Sequence, residues 1–454
     1  MTAQIRFLGA TETVTGSRYL VQTANARILV DCGLFQGLKK LRERNWAPPQ
    51  FDVASLDAVI LTHAHIDHSG YLPKLVKLGF KGPVYCTEGT ADLLQVLLPD
   101  SAYLQEEDAK RANAQGYTRH QPAEPLYTRE DVERCLPLLR AQPFGKDFSP
   151  AAGAEASFTR AGHIIGSACV ALRCDGTRLA FSGDVGRAND PIMRPPAPLP
   201  EADYLVVEST YGDRRHSTEN LRDALARVVN ETAERHGVVV VPSFAVGRAQ
   251  HLLHLLGQLR AENRIPQMPI YLDSPMCIDA TDLFCKHTED HSISETQCKA
   301  MCRVPRYSRT AEESKAIDRH PGPMIVISAS GMATGGRVLH HLQRFLPDDR
   351  NTVLFVGYQG NGTRGRAIID GADEIKLHGQ YVKVRARVAQ LSGLSAHADY
   401  AEMIEWLAAS KIAPRQVFVT HGEPAAADAF RRRLRDTFGW NVVVPIDGAC
   451  FDLS

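Results

Sequence analysis

The sequence predicts an α/β protein in which a parallel α/β segment is inserted into a strand-rich unit. In the first two hundred residues, many short strand-like runs are separated by turn residues. From about residue 211 to 372, long helical patterns alternate with buried strand runs, which is typical of a parallel sheet covered by helices. A late histidine, His397, has a sequence context similar to that of a histidine cluster near residue 63. If this late histidine completes the early cluster, the intervening segment is an insertion.

Short runs rich in β-branched residues predict the strands of the first part. In chain order they are QIRFLGA, SRYLVQT, ARILVDCG, LDAVILT, GPVYCTE, CVALRC, RLAFSGD and ADYLVVEST. A helix is predicted over 70–78, where leucines recur at helical spacing and Gly79 ends the pattern. The run RPPAPLP at 194–200 predicts a stiff surface connector.

The middle and final parts of the sequence differ from the first part in their alternation of longer helical patterns with strand runs. Helical patterns over 218–236, 248–262 and 337–345 alternate with the runs VVVVP, PIYLD, MIVISAS and TVLFVGY. The run EIKLHGQYVKVRARVAQL follows, and then a helix over 400–409, the strand RQVFVTHGE, another helix and the strand NVVVP. The predicted division is therefore 1–208 and 374–454 for the outer unit and 209–373 for the insertion.

Composition narrows the classes of function. The 454 residues, 44% of them hydrophobic, allow full cores for two or three domains. Lysine plus arginine equals aspartate plus glutamate at 52 each, so a nucleic acid must be held by a local basic patch. The chain has no run near the ~18 apolar residues of a membrane span, and its first residues lack a signal-peptide pattern. With ten scattered cysteines predicted to be reduced, we expect a cytoplasmic protein without a membrane partner, of an oligomeric state that the sequence does not specify.

The stretch LTHAHIDHSG at 61–70 carries the strongest chemical signal. It places His63, His65, Asp67 and His68 within six positions, directly after an apolar run. Imidazole nitrogen and carboxylate oxygen are usual ligands of zinc. Three more residues stand in glycine-flanked or small-residue turns, namely His163 in AGHIIGSA, Asp184 in FSGDVG and His397 in SAHAD. Each of these alone is compatible with an ordinary loop residue, but together the seven suit two metals that share one carboxylate.

These motifs resemble the metallo-β-lactamase fold, an αββα sandwich with a metal site at one edge of its two sheets. The middle of the chain is similar to the β-CASP branch of that fold, which contains nucleases such as RNase J and the endonuclease subunit of the pre-mRNA 3′-end cleavage machinery. The matching motifs are VVESTYG, VPSFAVGRAQ, SASGMATGGR, GYQGNGTRGR, IKLHG and LSAHADY. The resemblance implies an α/β fold class, a metallo-β-lactamase sandwich with an inserted β-CASP parallel α/β domain.

The same resemblance implies two zinc ions per chain. One would be held by His63, His65 and His163, the other by Asp67, His68 and His397, and Asp184 would bridge them. Asp31, in LVDCG, would orient a ligating histidine.

A general acid is implied as well. His378 would give a proton to the leaving 3′-oxygen, and Glu208 would hold His378 in place and favour its protonated form. Both residues also fit purely structural roles at strand ends. His421, in VTHGEP, is expected near the site in a supporting role.

Glycine-rich turns ahead of helices predict contacts to phosphates through backbone N–H groups and arginine side chains. The alternative for each turn is that its glycines only permit a tight turn between a strand and a helix. The predicted substrate-binding residues are Arg248, Ser330, Arg337 and Arg364, with Arg366 beside the last. The expected function is zinc-dependent hydrolysis of single-stranded RNA that leaves 5′-phosphate and 3′-hydroxyl ends. Cleavage could occur within the RNA strand or proceed from its 5′ end. The alternatives are a small-molecule ester or thioester hydrolase of the same fold and a non-catalytic RNA-binding scaffold.

Overall fold

The computed structural model describes residues 3–116 and 120–453. The chain forms two compact units, one made of 1–215 with 397–454 and the other of 216–396. Two distant parts of the chain therefore build the first unit, as the position of His397 predicted. Both boundaries differ from the predicted ones, because residues 209–215 belong to the first unit and the segment 374–396 belongs to the second. The reason for the second difference is strand pairing, since residues 387–390 extend the sheet of the second unit.

Two seven-stranded sheets form the framework of the first unit within the described residues. In spatial order, the first sheet contains β22 (Cys450–Leu453), β1 (Ala3–Phe7), β2 (Tyr19–Gln22), β3 (Arg27–Val30), β4 (Ala58–Ile60), β5 (Val84–Cys86) and β6 (Leu139–Ala141). The second contains β21 (Val442–Val443), β20 (Gln416–Thr420), β11 (Tyr204–Glu208), β10 (Thr177–Phe181), β9 (Ala168–Cys174), β8 (Ala154–Arg160) and β7 (Asp147–Phe148). Each sheet combines parallel and antiparallel pairs.

The helices of the first unit include the one predicted over 70–78. They are α1 (Lys39–Glu43), α2 (Ile66–Ser69), α3 (Leu72–Lys77), α4 (Glu88–Gln115), α5 (Arg129–Cys135), α13 (Tyr400–Ser410) and α14 (Pro424–Phe438). The sequence analysis did not single out α4, because its apolar residues lie mainly in its first half and its second half is highly charged.

Apolar side chains from both sheets meet in one buried core. Its largest members are aromatic and include Phe7, Phe158, Phe181 and Phe418. A second cluster joins the outer face of the second sheet to α13 and α14, through residues such as Trp406. Burial of apolar area on both faces of this sheet stabilises the strand ends that carry the polar residues described below.

The second unit is built on a six-stranded parallel sheet, which confirms the predicted parallel α/β layer. Its order is β14 (Arg306–Tyr307), β13 (Ile270–Leu272), β15 (Met324–Ser328), β12 (Val238–Pro242), β16 (Thr352–Phe355) and β19 (Arg387–Gln390). A separate hairpin consists of β17 (Glu374–Leu377) and β18 (Gln380–Lys383). The helices are α6 (Leu221–Glu234), α7 (Arg248–Ala261), α8 (Pro275–Lys286), α9 (Glu295–Cys302), α10 (Ala311–Ile317), α11 (Val338–Phe345) and α12 (Arg364–Ile369). In the described part of the chain, no helix has the length and apolar character needed to cross a membrane.

Candidate active site and metal centre

Polar side chains follow the ends of parallel strands in both sheets of the first unit. Asp31 comes directly after β3, and His63 lies just past β4. In the second sheet, Asp184 follows β10, Glu208 ends β11 and His421 comes directly after β20. Because the carboxyl ends of parallel strands open at one edge of a sheet, the fold brings these side chains together.

One buried donor group consists of His63, His65, His163 and Asp184, whose ligand atoms all lie within 4.8 Å of one another. His65 Nδ1 is 3.1 Å from His63 Nε2 and 3.2 Å from His163 Nε2. Asp184 Oδ2 is 3.4 Å from His63 Nε2 and 3.5 Å from His163 Nε2. Burial lowers the pKa of His63 and lowers the pKa of His65 to about 4. Both imidazoles are therefore neutral near pH 7, the form that binds a divalent metal, and the donor set suits zinc.

A second donor group consists of Asp67, His68 and His421. His421 Nε2 is 3.2 Å from His68 Nε2 and 3.4 Å from Asp67 Oδ2. The other oxygen of Asp184, Oδ1, lies 3.3 Å from His68 Nε2. Asp184 thus offers one carboxylate oxygen to each donor group, the position expected of a shared ligand.

Carboxylates dominate the electrostatics of this second group. Burial opposes a charge on His68, but the carboxylates of Asp184 and Asp31 raise the pKa of His68 well above its usual range. Asp31 Oδ2 lies 2.8 Å from His68 Nδ1, so Asp31 orients a donor histidine as predicted. Burial likewise opposes a charge on Asp184, yet the imidazoles of His421 and His68 bring the pKa of Asp184 well below its usual range. Asp184 is therefore held in its ionised form, which favours a bound cation.

The second donor group differs from the one predicted, because His421 occupies the place expected for His397. The strand β20 pairs in parallel with β11, and Glu208 lies opposite Thr420 in that pairing. His421 is therefore carried to the strand ends where the other donors lie. The signal that could have identified it was VTHGEP, a strand that runs into a histidine and a glycine.

His397 instead pairs with Glu208. Its Nδ1 is 3.1 Å from both carboxylate oxygens of Glu208, and its Nε2 is 4.0 Å from Asp184 Oδ2. Burial opposes protonation of His397, but Glu208 and Asp184 raise its pKa. Glu208 is itself buried, and its Oε1 accepts a hydrogen bond from the backbone N–H of Val185 at 2.7 Å. The pair lies beside the donor groups, and its geometry favours a proton on His397.

Glu208 thus has a histidine partner, His397, within its own unit, and its predicted pairing with His378 stays a prediction. That histidine lies in the turn between β17 and β18 of the second unit. Its ring stacks on that of His340, with centroids 4.4 Å apart, and both side chains are exposed. The motif IKLHG, which resembles a catalytic context in sequence, forms an exposed hairpin turn in the second unit.

Arg337, one of the predicted phosphate-binding residues, is engaged within the second unit. Its Nη1 donates to the buried carboxylate of Asp273 at 2.7 Å, and its Nη2 donates to the carbonyl of Arg309 at 2.6 Å. These bonds tie the start of α11 to the end of β13. The guanidinium thus has a structural partner that the glycine-rich context did not reveal.

The other predicted phosphate-binding residues also have contacts inside the second unit. Arg364 donates to the carbonyl of Lys376, Arg248 donates to the carbonyl of Leu394, Ser330 bonds to Thr334 and Arg366 pairs with Asp370. Such bonds are the ordinary tight-turn chemistry that the sequence analysis left open. Phosphate binding by these four residues stays a prediction.

An αββα sandwich with two histidine and aspartate donor groups at its strand ends defines the class of metal-dependent hydrolases of the metallo-β-lactamase type. Three family models match the chain. They are the metallo-beta-lactamase superfamily over 13–236, the Beta-Casp domain over 249–368 and the Zn-dependent metallo-hydrolase RNA specificity domain over 381–445.

Relatives match over nearly the whole chain. It is 39% identical to Ribonuclease TTHA0252 of Thermus thermophilus, over 91% of this chain and 92% of that protein. It is 32% identical to Transcription termination factor FttA of Methanocaldococcus jannaschii, over 98% of this chain and 70% of that protein. An RNase J-like protein of the same archaeon is 28% identical, over 98% of each chain. The chain therefore belongs to the β-CASP family of the metallo-β-lactamase superfamily and is a metal-dependent hydrolase.

A solved structure shares the fold at low sequence identity. The crystal structure of a protein of unknown function from Enterococcus faecalis V583 covers 99% of this chain and is itself covered completely. The TM-score is 0.55 at 12% sequence identity, so this likeness concerns the fold alone.

Proposed function

We propose that this protein is a zinc-dependent ribonuclease that hydrolyses phosphodiester bonds in single-stranded RNA. The observation that carries the proposal is the combination of two donor groups around Asp184 with the adjacent His397–Glu208 pair. The substrate class is supported by the match to an RNA specificity domain and by a relative named as a ribonuclease at 39% identity.

The two donor groups suit two zinc ions per chain. His63, His65 and His163 would hold one ion, Asp67, His68 and His421 the other, and Asp184 would contact both. When bound, such ions supply the Lewis acidity that activates water and offsets charge on the phosphodiester. Asp31 keeps His68 oriented through its 2.8 Å contact to Nδ1.

His397 is the general acid in this proposal, the role that the sequence analysis gave to His378. Because Nδ1 faces Glu208, the opposite ring nitrogen, Nε2, lies on the side of Asp184 and the donor groups. The side chain is 14% exposed, so a leaving 3′-oxygen can reach it. Protonation of that oxygen by His397, after attack of water on phosphorus, gives a 3′-hydroxyl and a 5′-phosphate.

A direct test uses single-stranded RNA of defined sequence, labelled at one end and either blocked or free at the 5′ end. We expect zinc-dependent cleavage with 3′-hydroxyl products, and a loss of cleavage in His397→Ala. Fragments from the blocked RNA would identify an endonuclease, whereas mononucleotides from the free RNA alone would identify a 5′-exonuclease. The ribonuclease proposal fails if zinc-loaded protein leaves both RNAs intact. Rapid hydrolysis of thioesters or other small esters by the same sample would then favour the small-molecule alternative, and RNA binding without any hydrolysis would favour the scaffold.

The cytoplasmic location predicted from the sequence stays a prediction. It is consistent with the ten cysteines, none of which is paired in a disulfide in the structure.

A further inference from the structure

Two buried threonine hydroxyls connect carboxylates to donor histidines, one in each sheet of the first unit. Thr62 lies two residues past β4, and Thr210 lies two residues past β11. Their side chains are buried, with residue exposures of 1% and 2%. Zinc in proteins is bound by cysteine, histidine and carboxylate side chains, so a threonine hydroxyl is not expected to bind the metal directly. The contacts of these two threonines to carboxylates and histidines therefore need another explanation.

The contacts of Thr210 fix the direction of its hydrogen bonds. Its Oγ1 lies 2.5 Å from Glu208 Oε2 and 3.1 Å from His421 Nδ1. An ionised carboxylate only accepts, so the single hydroxyl hydrogen points to Glu208. The carbonyl of His421 also lies near Oγ1, at 3.2 Å, but it is farther away and uncharged. The hydroxyl oxygen is left to accept a hydrogen bond from His421 Nδ1.

A second neighbour of His421 Nδ1 demands the same arrangement. Asp184 Oδ1 lies 3.5 Å from this nitrogen and is also an acceptor. Thr210 Oγ1 and Asp184 Oδ1 are thus two acceptors beside Nδ1, and we assign the ring hydrogen to this nitrogen. The lone pair is then on Nε2, which faces Asp67 Oδ2 at 3.4 Å and His68 Nε2 at 3.2 Å. This is the tautomer in which His421 can hold a metal in the second donor group.

Thr62 repeats this arrangement in the first donor group. Its Oγ1 lies 3.0 Å from Asp31 Oδ2 and 3.1 Å from His63 Nδ1. If the hydroxyl donates to the carboxylate, its oxygen accepts from His63 Nδ1. The lone pair of His63 is then on Nε2, which lies 3.4 Å from Asp184 Oδ2.

We propose that Thr62 and Thr210 are positioning residues that set the tautomers of His63 and His421 and thereby make each donor group ready to bind metal. Thr210 also shares Glu208 with His397, so it connects the second donor group to the proposed acid. The inference rests on the metal sites of the proposed function, but it does not depend on RNA as the substrate.

The test measures zinc retention instead of catalysis. Wild type, Thr62→Val and Thr210→Val are equilibrated with a chelator series, and retained zinc is determined by elemental analysis. Valine keeps the shape of threonine without the hydroxyl. Each variant should therefore lose one of its two zinc ions at a free chelator concentration roughly 10–100-fold lower than wild type requires. Thr62→Ser and Thr210→Ser keep the hydroxyl and should behave as wild type.

Thr420→Val is a matched control. Thr420 is also buried, and its hydroxyl accepts from Tyr19 Oη at 3.1 Å instead of bonding to a donor histidine. This variant should retain both ions. The proposal is contradicted if Thr420→Val loses as much zinc as Thr210→Val. It is also contradicted if Thr62→Val and Thr210→Val both retain as much zinc as wild type.

A second variant keeps the test decisive if Thr210→Val does not fold. Glu208→Gln gives Thr210 an amide that can donate, which frees the hydroxyl hydrogen to turn towards His421 Nδ1. We expect this variant to hold the second zinc more weakly. Glu208 is not one of the three residues Asp67, His68 and His421, and where it lies near Asp184 and His421 the glutamine keeps a side-chain oxygen. Unchanged zinc retention in Glu208→Gln would overturn the role of Thr210. If zinc is retained as described but no RNA is cut, only the proposed function fails.

Discussion

His397 Nδ1 lies 3.1 Å from both carboxylate oxygens of Glu208, while His421 Nε2 lies 3.4 Å from Asp67. The two histidines, both in the last sixty residues, thus have different partners. His397 faces Glu208, which is in neither of the two donor groups but lies near Asp184 and His421, and His421 belongs to the second donor group. This contrast separates proton transfer from metal binding and can be tested directly.

Replacing these two histidines should have different consequences. His397→Ala should lower turnover by ~10²–10⁴-fold, the usual worth of a positioned acid, while two zinc ions stay bound. His421→Ala should lose zinc as well as activity. Elemental analysis of both variants, combined with steady-state kinetics, checks this. Loss of one zinc from His397→Ala alone would restore that residue to the ligand set predicted from sequence.

His378→Ala should leave turnover close to that of wild type. The side chain is exposed in a hairpin turn of the second unit and stacks on His340, whereas the donor groups and Glu208 belong to the first unit. Parallel kinetics on His378→Ala and His397→Ala, at equal zinc content, compare the two candidate acids. A drop in turnover confined to His378→Ala would favour the assignment predicted from sequence.

Most of the donor set could be predicted from the sequence, because each residue ends a strand run within a few positions of glycine or another small residue. His63, His163 and Asp184 were recognisable in this way. The choice between His397 and His421 was not, since SAHAD and VTHGE are equally suitable local contexts. The parallel pairing of β20 with β11 carries His421 to the other donor residues, and that contact joins residues about two hundred positions apart.

The same limitation explains the misplaced boundary at residue 373. The run KVRARVAQ alternates charged and apolar residues, as a solvated strand does, and gives no sign of which sheet it joins. Its last part, β19, pairs with β16 and so belongs to the second unit. Sequence patterns predict that a strand exists, but its neighbour depends on the whole fold.

Gly33→Ala should damage the metal centre although glycine carries no donor. A Cβ at this position would lie 1.7 Å from the backbone carbonyl oxygen of Asp67, and backbone cannot yield as a flexible side chain does. The neighbouring Cys32 N–H donates to the carbonyl of His68 at 2.7 Å, so the displaced segment is the one that carries two donors. We expect a loss of bound zinc and a lower melting temperature. Gly335→Ala is the control, because an added Cβ there meets no atom within 4 Å. Equal zinc content in the two variants would contradict this prediction.

The last prediction concerns the pH dependence of stability in the second unit, where Asp273 contacts both Arg337 and His341. Asp273 Oδ2 lies 2.7 Å from His341 Nε2, and His341 Nδ1 lies 2.7 Å from Asp318. Burial opposes both charges, but these bonds raise the pKa of His341 from 6.5 to about 9 and lower the pKa of Asp273 from 3.8 to about 2.

The signs of these two shifts define a window of pH. Because the pKa of His341 is raised in the folded state, its contribution is complete below pH 6.5 and is lost as pH rises through about 9. Because the pKa of Asp273 is lowered, its contribution is present above pH 3.8 and is lost as pH falls through about 2. The network should therefore stabilise the second unit most between these limits, and Asp273→Asn should cost about 3–5 kcal/mol there, since it removes the buried carboxylate that both His341 and Arg337 contact. Thermal melts of wild type and His341→Asn across the alkaline range check the first part. Wild type should lose stability between about pH 6.5 and 9, and the variant should lose less; parallel pH profiles would contradict the assignment of that loss to His341.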